Sequence, residues 1–166
     1  MKKMLFVVLV AAMLAMPANV SAAGKCAETV FDSGSFVTVR FSCTGDGSDG
    51  SIPNTVLSSH AMSILLRGFY LYTVTAYPTS GGTAPDAADV FILDAAGEDL
   101  LGSADGGTTA NKGANLIHAT LKKTTLPYSH YLSTHYYPAV TGALTLKVSS
   151  QGTASANYTV EAVFIK

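Results

Sequence analysis

The chain has 166 residues, 48% hydrophobic and 13% charged, with ten basic against eleven acidic groups and a formal net charge of −1. Beyond Lys2-Lys3 the only basic pair is Lys122-Lys123, so no basic patch exists for a polyanion and no nucleic-acid partner is expected. The apolar content suffices for one real core, and a single domain over residues 24–166 is expected.

Residues 1–23, MKKMLFVVLVAAMLAMPANVSAA, combine two lysines, an apolar run from Met4 to Met16, a helix-breaking Pro17 and small residues. Together these read as a secretory signal peptide, cleaved after Ala22 or Ala23. The apolar run falls short of the about 20 residues that a helix needs to cross a bilayer. No second long apolar run follows, so no membrane span is expected after cleavage, and the destination is the periplasm or the outside. Losing Lys2 and Lys3 leaves eight basic groups against eleven acidic ones, a formal charge of −3. Cys26 and Cys43 are the only cysteines. An even count in an oxidising compartment, across what reads as two paired strands, predicts a disulfide.

After the signal, β-branched and aromatic segments alternate with Gly, Pro, Ser and Asp clusters, the pattern of short antiparallel strands. Glu28 to Asp32 and Phe36 to Cys43 read as a hairpin around Ser33-Gly34-Ser35, with Phe36, Val37, Val39 and Phe41 competing for the inward face. Thr44 to Ser51 is a glycine-rich polar loop. Val56 to Leu66 fits either a strand or one helical turn followed by a strand, and strand is kept for Ala61 to Arg67. Phe69 to Tyr77 (FYLYTVTAY) is the clearest strand. Tyr70, Tyr72, Val74 and Ala76 would share one side, and Phe69, Leu71, Thr73 and Thr75 the other. Apolar groups on both sides predict a central position.

Pro78 to Asp86 is a turn-rich connection. Asp89 to Asp94 reads as a short strand ending at the turn Asp94-Ala95-Ala96-Gly97, and Leu100-Leu101 as a further short one. Gly102 to Gly113 is a small, polar connection, and Ala114 to Leu121 returns as a strand. Ala143 to Ser149 and Asn157 to Ile165 alternate as a half-buried hairpin, with Leu144, Leu146 and Val148 facing in. Seven to eight such strands predict an all-β, antiparallel β-sandwich, with a small β-barrel as the alternative.

The densest side-chain chemistry is YSHYLSTHYYP, Tyr128 to Pro138. Tyr128, His130, Tyr131, His135, Tyr136 and Tyr137 are the candidate ligand-binding residues, because flat amphipathic rings with polar tips suit sugar stacking and protein interfaces. His130 and His135 alone supply too few ligands for a metal, with no Cys pair or HExxH motif beside them. Asp46 with Asp49, and the group Asp86, Asp89, Asp94, Glu98 and Asp99, offer oxygens, but their spacing departs from the EF-hand loop and reads as turn caps. No metal or cofactor is expected. No G-x-S-x-G elbow is present and both cysteines are used in the bridge, so no enzyme is expected. The sequon Asn157-Tyr158-Thr159 falls in an expected strand behind a bacterial-type signal and is read as chance.

Three stretches carry a resemblance. GFYLYTVTAYP, GGTAPDAADVFILDAAGEDLLG and GALTLKVSSQGTASANYTV follow in the order in which small phage and prophage virion β-sandwich proteins place an opening G-apolar strand, an AP…D…DxxGxD turn and a G-x-L-T-L-x-V hairpin. Residues 68–164 resemble that group, about 60% of the chain. The resemblance implies a structural rather than catalytic role. The chain is also similar, more weakly, to the prepeptidase C-terminal type of secreted domain in its DVFILD and YTV strands, which implies an accessory domain of exported enzymes. The expected function is that of a non-catalytic exported β-sandwich, a structural or adhesive component of an envelope, extracellular or phage-like assembly, with a protein partner or self-assembly. A glycan- or peptide-binding module at the Tyr/His segment is the alternative.

Overall fold

The computed structural model describes residues 23–102, 113–129 and 134–166. The expected signal peptide up to Ala22, most of the Gly102–Gly113 connection, and the candidates His130 and Tyr131 lie outside the described residues.

The chain is all-β, with one short helix among the described residues. In order it forms β1 (Lys25–Asp32), β2 (Phe36–Thr44), β3 (Thr55–Val56), α1 (Ser59–Leu65), β4 (Tyr70–Pro78), β5 (Ala88–Leu93), β6 (Ala114–Ile117), β7 (Lys123–Thr125), β8 (Tyr128–Ser129), β9 (Thr134–His135), β10 (Thr145–Ser149) and β11 (Asn157–Ile165). Two open antiparallel sheets, ordered β1-β2-β11-β4-β7 and β3-β10-β5-β6, face each other across one core, and β8-β9 is a separate ribbon. The sandwich expectation therefore holds over the barrel. The strands number eleven among the described residues because four of them have only two or three residues.

The expected first hairpin is present. β1 and β2 pair from Lys25 opposite Thr44 to Asp32 opposite Val37. Gly34 takes φ +84° at the turn, where its N–H donates to the Asp32 carboxylate at 2.8 Å. The alternation VTVRFSC sends Val37, Val39, Phe41 and Cys43 inward and leaves Phe36 outside. β11 lies beside β2 and sets large groups against small ones: Phe41 opposite Val160, Val37 opposite Phe164, Cys43 opposite Tyr158. Such interdigitation is how a β-sandwich reaches interior packing density. Cys26 and Cys43 face each other across the hairpin, Cα to Cα 4.0 Å apart, and form the expected disulfide.

Four expectations change. Ala61 to Arg67 is not a strand, since Ser59–Leu65 is helical. Ser58 caps it by accepting the Ala61 N–H at 3.2 Å, and Ala61, Met62, Ile64 and Leu65 form one buried stripe at helical spacing. Leu100 and Leu101 lie in a turn rather than a strand, although the Leu100 N–H still donates to the Ile92 carbonyl at 2.8 Å. Ala114 to Leu121 breaks after Ile117, where the His118 ring accepts the Thr120 and Leu121 N–H groups and turns the chain. Most consequentially, Ala143–Ser149 and Asn157–Ile165 are not a hairpin. β10 pairs with β3 and β5 while β11 pairs with β2 and β4, so residues 150–156 cross from one sheet to the other. Leu144 and Leu146 are buried and Val148 packs against the core, as expected.

β4 has neighbours on both sides, but β11 occupies the middle of its sheet. Its inward residues are Leu71, Val74 and Ala76, which belong to two different phases of the alternation. The cause is a bulge: Thr73 faces Val163 and Leu71 faces Phe164, leaving Tyr72 as the extra residue.

Candidate functional site

The structure divides the Tyr/His segment. Tyr128 and His135 face each other across the β8-β9 ribbon, their rings edge to face at 5.5 Å. His135 Nδ1 donates to the Pro127 carbonyl at 3.2 Å, and the Tyr136 N–H shares that acceptor at 3.2 Å. The ribbon is fastened to the preceding turn by the Tyr128 N–H, which donates to the Leu101 carbonyl at 3.2 Å. Gly102 fits there because a Cβ would lie 1.9 Å from the Tyr128 carbonyl oxygen, and its φ is +56°. Burial, then the charges of Asp99 and Asp94, push the Tyr136 hydroxyl above its usual range. Tyr137 does not join this group. Its ring rests against Tyr72 of β4, 5.4 Å between centroids and tilted 41°.

Tyr137 belongs to a surface feature absent from the sequence expectation. On the outer face of the five-stranded sheet, Phe36, Ile165 and Tyr70 stand side by side on β2, β11 and β4. Ala139 bridges to Tyr70 beyond them, and Tyr137, two residues before Ala139, closes the row. Phe31 of β1 stands opposite Thr38 in the adjacent row, in line with Val163 and Thr73. The exposures are 47% for Phe31, 51% for Phe36, 44% for Tyr70 and 47% for Tyr137. With about 200 Å² for a whole aromatic side chain, these four rings leave about 400 Å² of mostly apolar surface in water. That is the size of the largest apolar patch on a typical monomer, which is often functional. The rows span four strands and the 137–139 segment at about 4.8 Å per strand, a strip of about 20 Å across the sheet.

Beside the strip runs a polar ladder joined by side-chain hydrogen bonds. Arg40 Nε donates to Glu161 at 2.7 Å, the Tyr77 hydroxyl donates to the same carboxylate at 3.1 Å, and Thr75 and Thr124 hydroxyls lie 2.9 Å apart. Glu161 holds the Arg40 guanidinium further above its ordinary value, while burial first and Glu161 second raise Tyr77. The Arg40 guanidinium also lies over the Phe31 ring at 4.8 Å, which joins the ladder to the strip.

Some of the acidic residues act as turn caps and others tie distant segments together. The Asp46 carboxylate accepts from the Ser48 and Asp49 backbone and Asp94 from Ala96 and Glu98, as caps do, whereas Asp86 accepts from the distant Gly152 N–H and Asp89 from the Asn115 side chain at 3.3 Å. Asp99 is the exception in depth: it is buried and accepts from Ile92, Leu101 and Gly113 at 3.1 to 3.2 Å. Desolvation raises its pKa against the downward pull of those N–H groups. Among the described residues no three His, Cys, Asp or Glu side chains converge as a metal site would require. The sequon Asn157 is engaged, donating to the Ser155 carbonyl at 2.7 Å and accepting from the Thr44 hydroxyl at 3.1 Å. No helix among the described residues is long and apolar enough to cross a membrane. Comparisons of the chain with protein-family models, with curated proteins and with solved structures each found no match.

Proposed function

We propose that the protein is a non-catalytic exported β-sandwich that works by surface contact, as a structural or adhesive component of an envelope, extracellular or phage-like assembly. The observation that carries this reading is the aromatic strip of Phe31, Phe36, Tyr70 and Tyr137, placed on a sheet face that the core does not need. At about 400 Å² it matches the largest apolar patch of a typical monomer, which is often functional. The disulfide supports an oxidising destination. The test is to fractionate the native culture into periplasm, envelope, shed particles and medium, and quantify wild type and Phe36→Asp in each. Wild type in a particulate or envelope fraction, with the variant released to the soluble pool, is the expected result. Equal partition of the two proteins would overturn the reading.

The Tyr72–Tyr137 ring pair favours a second reading, a glycan- or peptide-binding module, because two tilted rings with one half exposed present a stacking ledge with polar tips. Tyr137→Ala would then abolish binding to a glycan or peptide array while leaving the thermal unfolding temperature within about 2 °C, as expected of a surface change. Array binding unaffected by the substitution would exclude it.

A further inference from the structure

We propose that the occupant of the strip is the same strip of a second copy of this chain, so that two molecules pair face to face through the outer faces of their five-stranded sheets; this rests on the contact reading above. Area is the first reason. A stable interface takes about 800 Å² from each partner, roughly half or slightly more of it apolar. The four rings supply about half that area. The adjoining outer residues Thr29, Thr38 and Thr73 border them with small polar groups suited to a rim. Charge is the second reason. A two-fold interface sets a surface against itself, so any net charge on it repels its own copy. The charged groups next to the strip on this face are Arg40 and Glu161, which neutralise each other at 2.7 Å. Lys166, beyond the end of β11, is turned toward the Phe69 ring at 5.9 Å. The strip end of the face is therefore neutral among the described residues, and the other charged groups on the same face, Lys25 opposite Thr44 and Lys122 over the Tyr77 ring at 5.1 Å, lie at the far end of the sheet, outside a two-fold contact centred on the strip. The Arg40 Nε–H and the Tyr77 hydroxyl already share the Glu161 carboxylate and the Thr75 and Thr124 hydroxyls meet each other, which lowers the cost of covering the ladder. Two sheet faces stack at about 10 Å with their rings interdigitated, the packing already present in the core.

Sedimentation velocity on the protein purified as its native cell processes it, from about 1 to 300 μM, reads the association directly. A reversible monomer–dimer equilibrium with a midpoint in the micromolar range is expected for an interface of about this size. Phe36→Asp and Tyr70→Asp each weaken it at least about tenfold, since each buries a charge at the centre of the contact. Leu121→Asp, as exposed at 52% but outside the strip, leaves it unchanged. As a check on wild type alone, chemical iodination is expected to slow at Tyr70 and Tyr137 as concentration rises, and not at Tyr128. A monomer at every concentration, or a dimer indifferent to Phe36→Asp, overturns the proposal. In that event, variants still released from the envelope fraction leave the contact reading standing with a different partner, and variants that partition like wild type remove both.

Discussion

Replacing Tyr158 with phenylalanine is expected to stabilise the protein. Tyr158 sits on β11 between Cys43 of β2 and Pro78 of β4, with 0% of its surface exposed. Its hydroxyl has no hydrogen-bond partner among the described residues. Burial, then the nearby Asp86 charge, pushes its ionisation far above the ordinary range, so the group is a neutral phenol at any working pH. A buried hydroxyl stripped of water and left unpaired costs about 1–3 kcal/mol. Phenylalanine keeps the ring that packs against the disulfide-bearing strand and removes only that cost. Tyr158→Phe should therefore gain at least about 1 kcal/mol in urea unfolding at neutral pH with the slope unchanged, or about 2–4 °C in melting temperature for a domain of this size. Tyr158→Ala, which empties the site, should lose about 3–5 kcal/mol. A Tyr158→Phe protein less stable than wild type by about 0.5 kcal/mol or more would show that the hydroxyl has an acceptor, such as an ordered water, and would refute the reasoning.

Three further outcomes follow from local geometry. Cys26→Ala with Cys43→Ala opens a loop closed over 17 residues and should lower stability by about 3 kcal/mol in the chain-entropy model; a melting curve of wild type indifferent to reductant would contradict it. For Asp99, whose folded pKa is raised above the ordinary 3.8 mainly by desolvation, the protonated form is the one folding favours. Its contribution is fully present below the unfolded value and is lost as pH rises through the folded value. Wild type should thus gain on Asp99→Asn as urea melts are taken from pH 7 toward pH 4, and a constant difference between the two would exclude the linkage. Ser58→Ala removes the acceptor for the Ala61 N–H and the hydroxyl that donates to the Glu28 carboxylate of β1. The expected loss is about 1 kcal/mol in equilibrium unfolding, and an unchanged protein would show that the cap does not hold α1.

How far the chain could be read depended on the range of the interaction. The β1-β2 hairpin was legible because everything that fixes it is local: the alternation of VTVRFSC, a serine–glycine turn, and two cysteines in register. Helix α1 is hard to read from sequence because AMSILL is apolar enough for either period. The discriminating signals were weak ones, Ser58 as a cap and Gly68, which takes φ +94° after the last turn. The partners of β10 and β11 are not legible for another reason. Alternation says that a segment is a strand but carries no information about which strand lies beside it, and here residues 150–156 lead to the opposite sheet. At the candidate site, composition found Tyr137 but not its companions, since Phe31, Phe36, Tyr70 and Ile165 come together only through register across four strands.

The bulge at Tyr72 connects the fold to that surface. In a regular strand, the alternation of FYLYTVTAY would force a choice: Val74 and Ala76 in the core with Tyr70 and Tyr72 buried beside them, or Leu71 in the core with Val74 and Ala76 in water. Burying two phenols would require acceptors for both hydroxyls, and the core already holds one unpaired hydroxyl at Tyr158. One extra residue removes the conflict, because the phase of the strand flips between Leu71 and Val74. Phe69 and Leu71 enter the core from one side of the bulge and Val74 and Ala76 from the other, all four of them buried. Tyr70 is left outside next to Ile165, and Tyr72 is left at the margin where it meets Tyr137. The same irregularity that completes the core thus places the tyrosines in the strip. Deleting Tyr72 would remove the extra residue and leave Leu71, Val74 and Ala76 on one face of a regular strand with Tyr70 and Thr73 on the other. The core is therefore expected to survive while the ring contact with Tyr137 is lost. Inserting a residue after Tyr72 instead changes the spacing of Leu71 and Val74 and is expected to cost core packing.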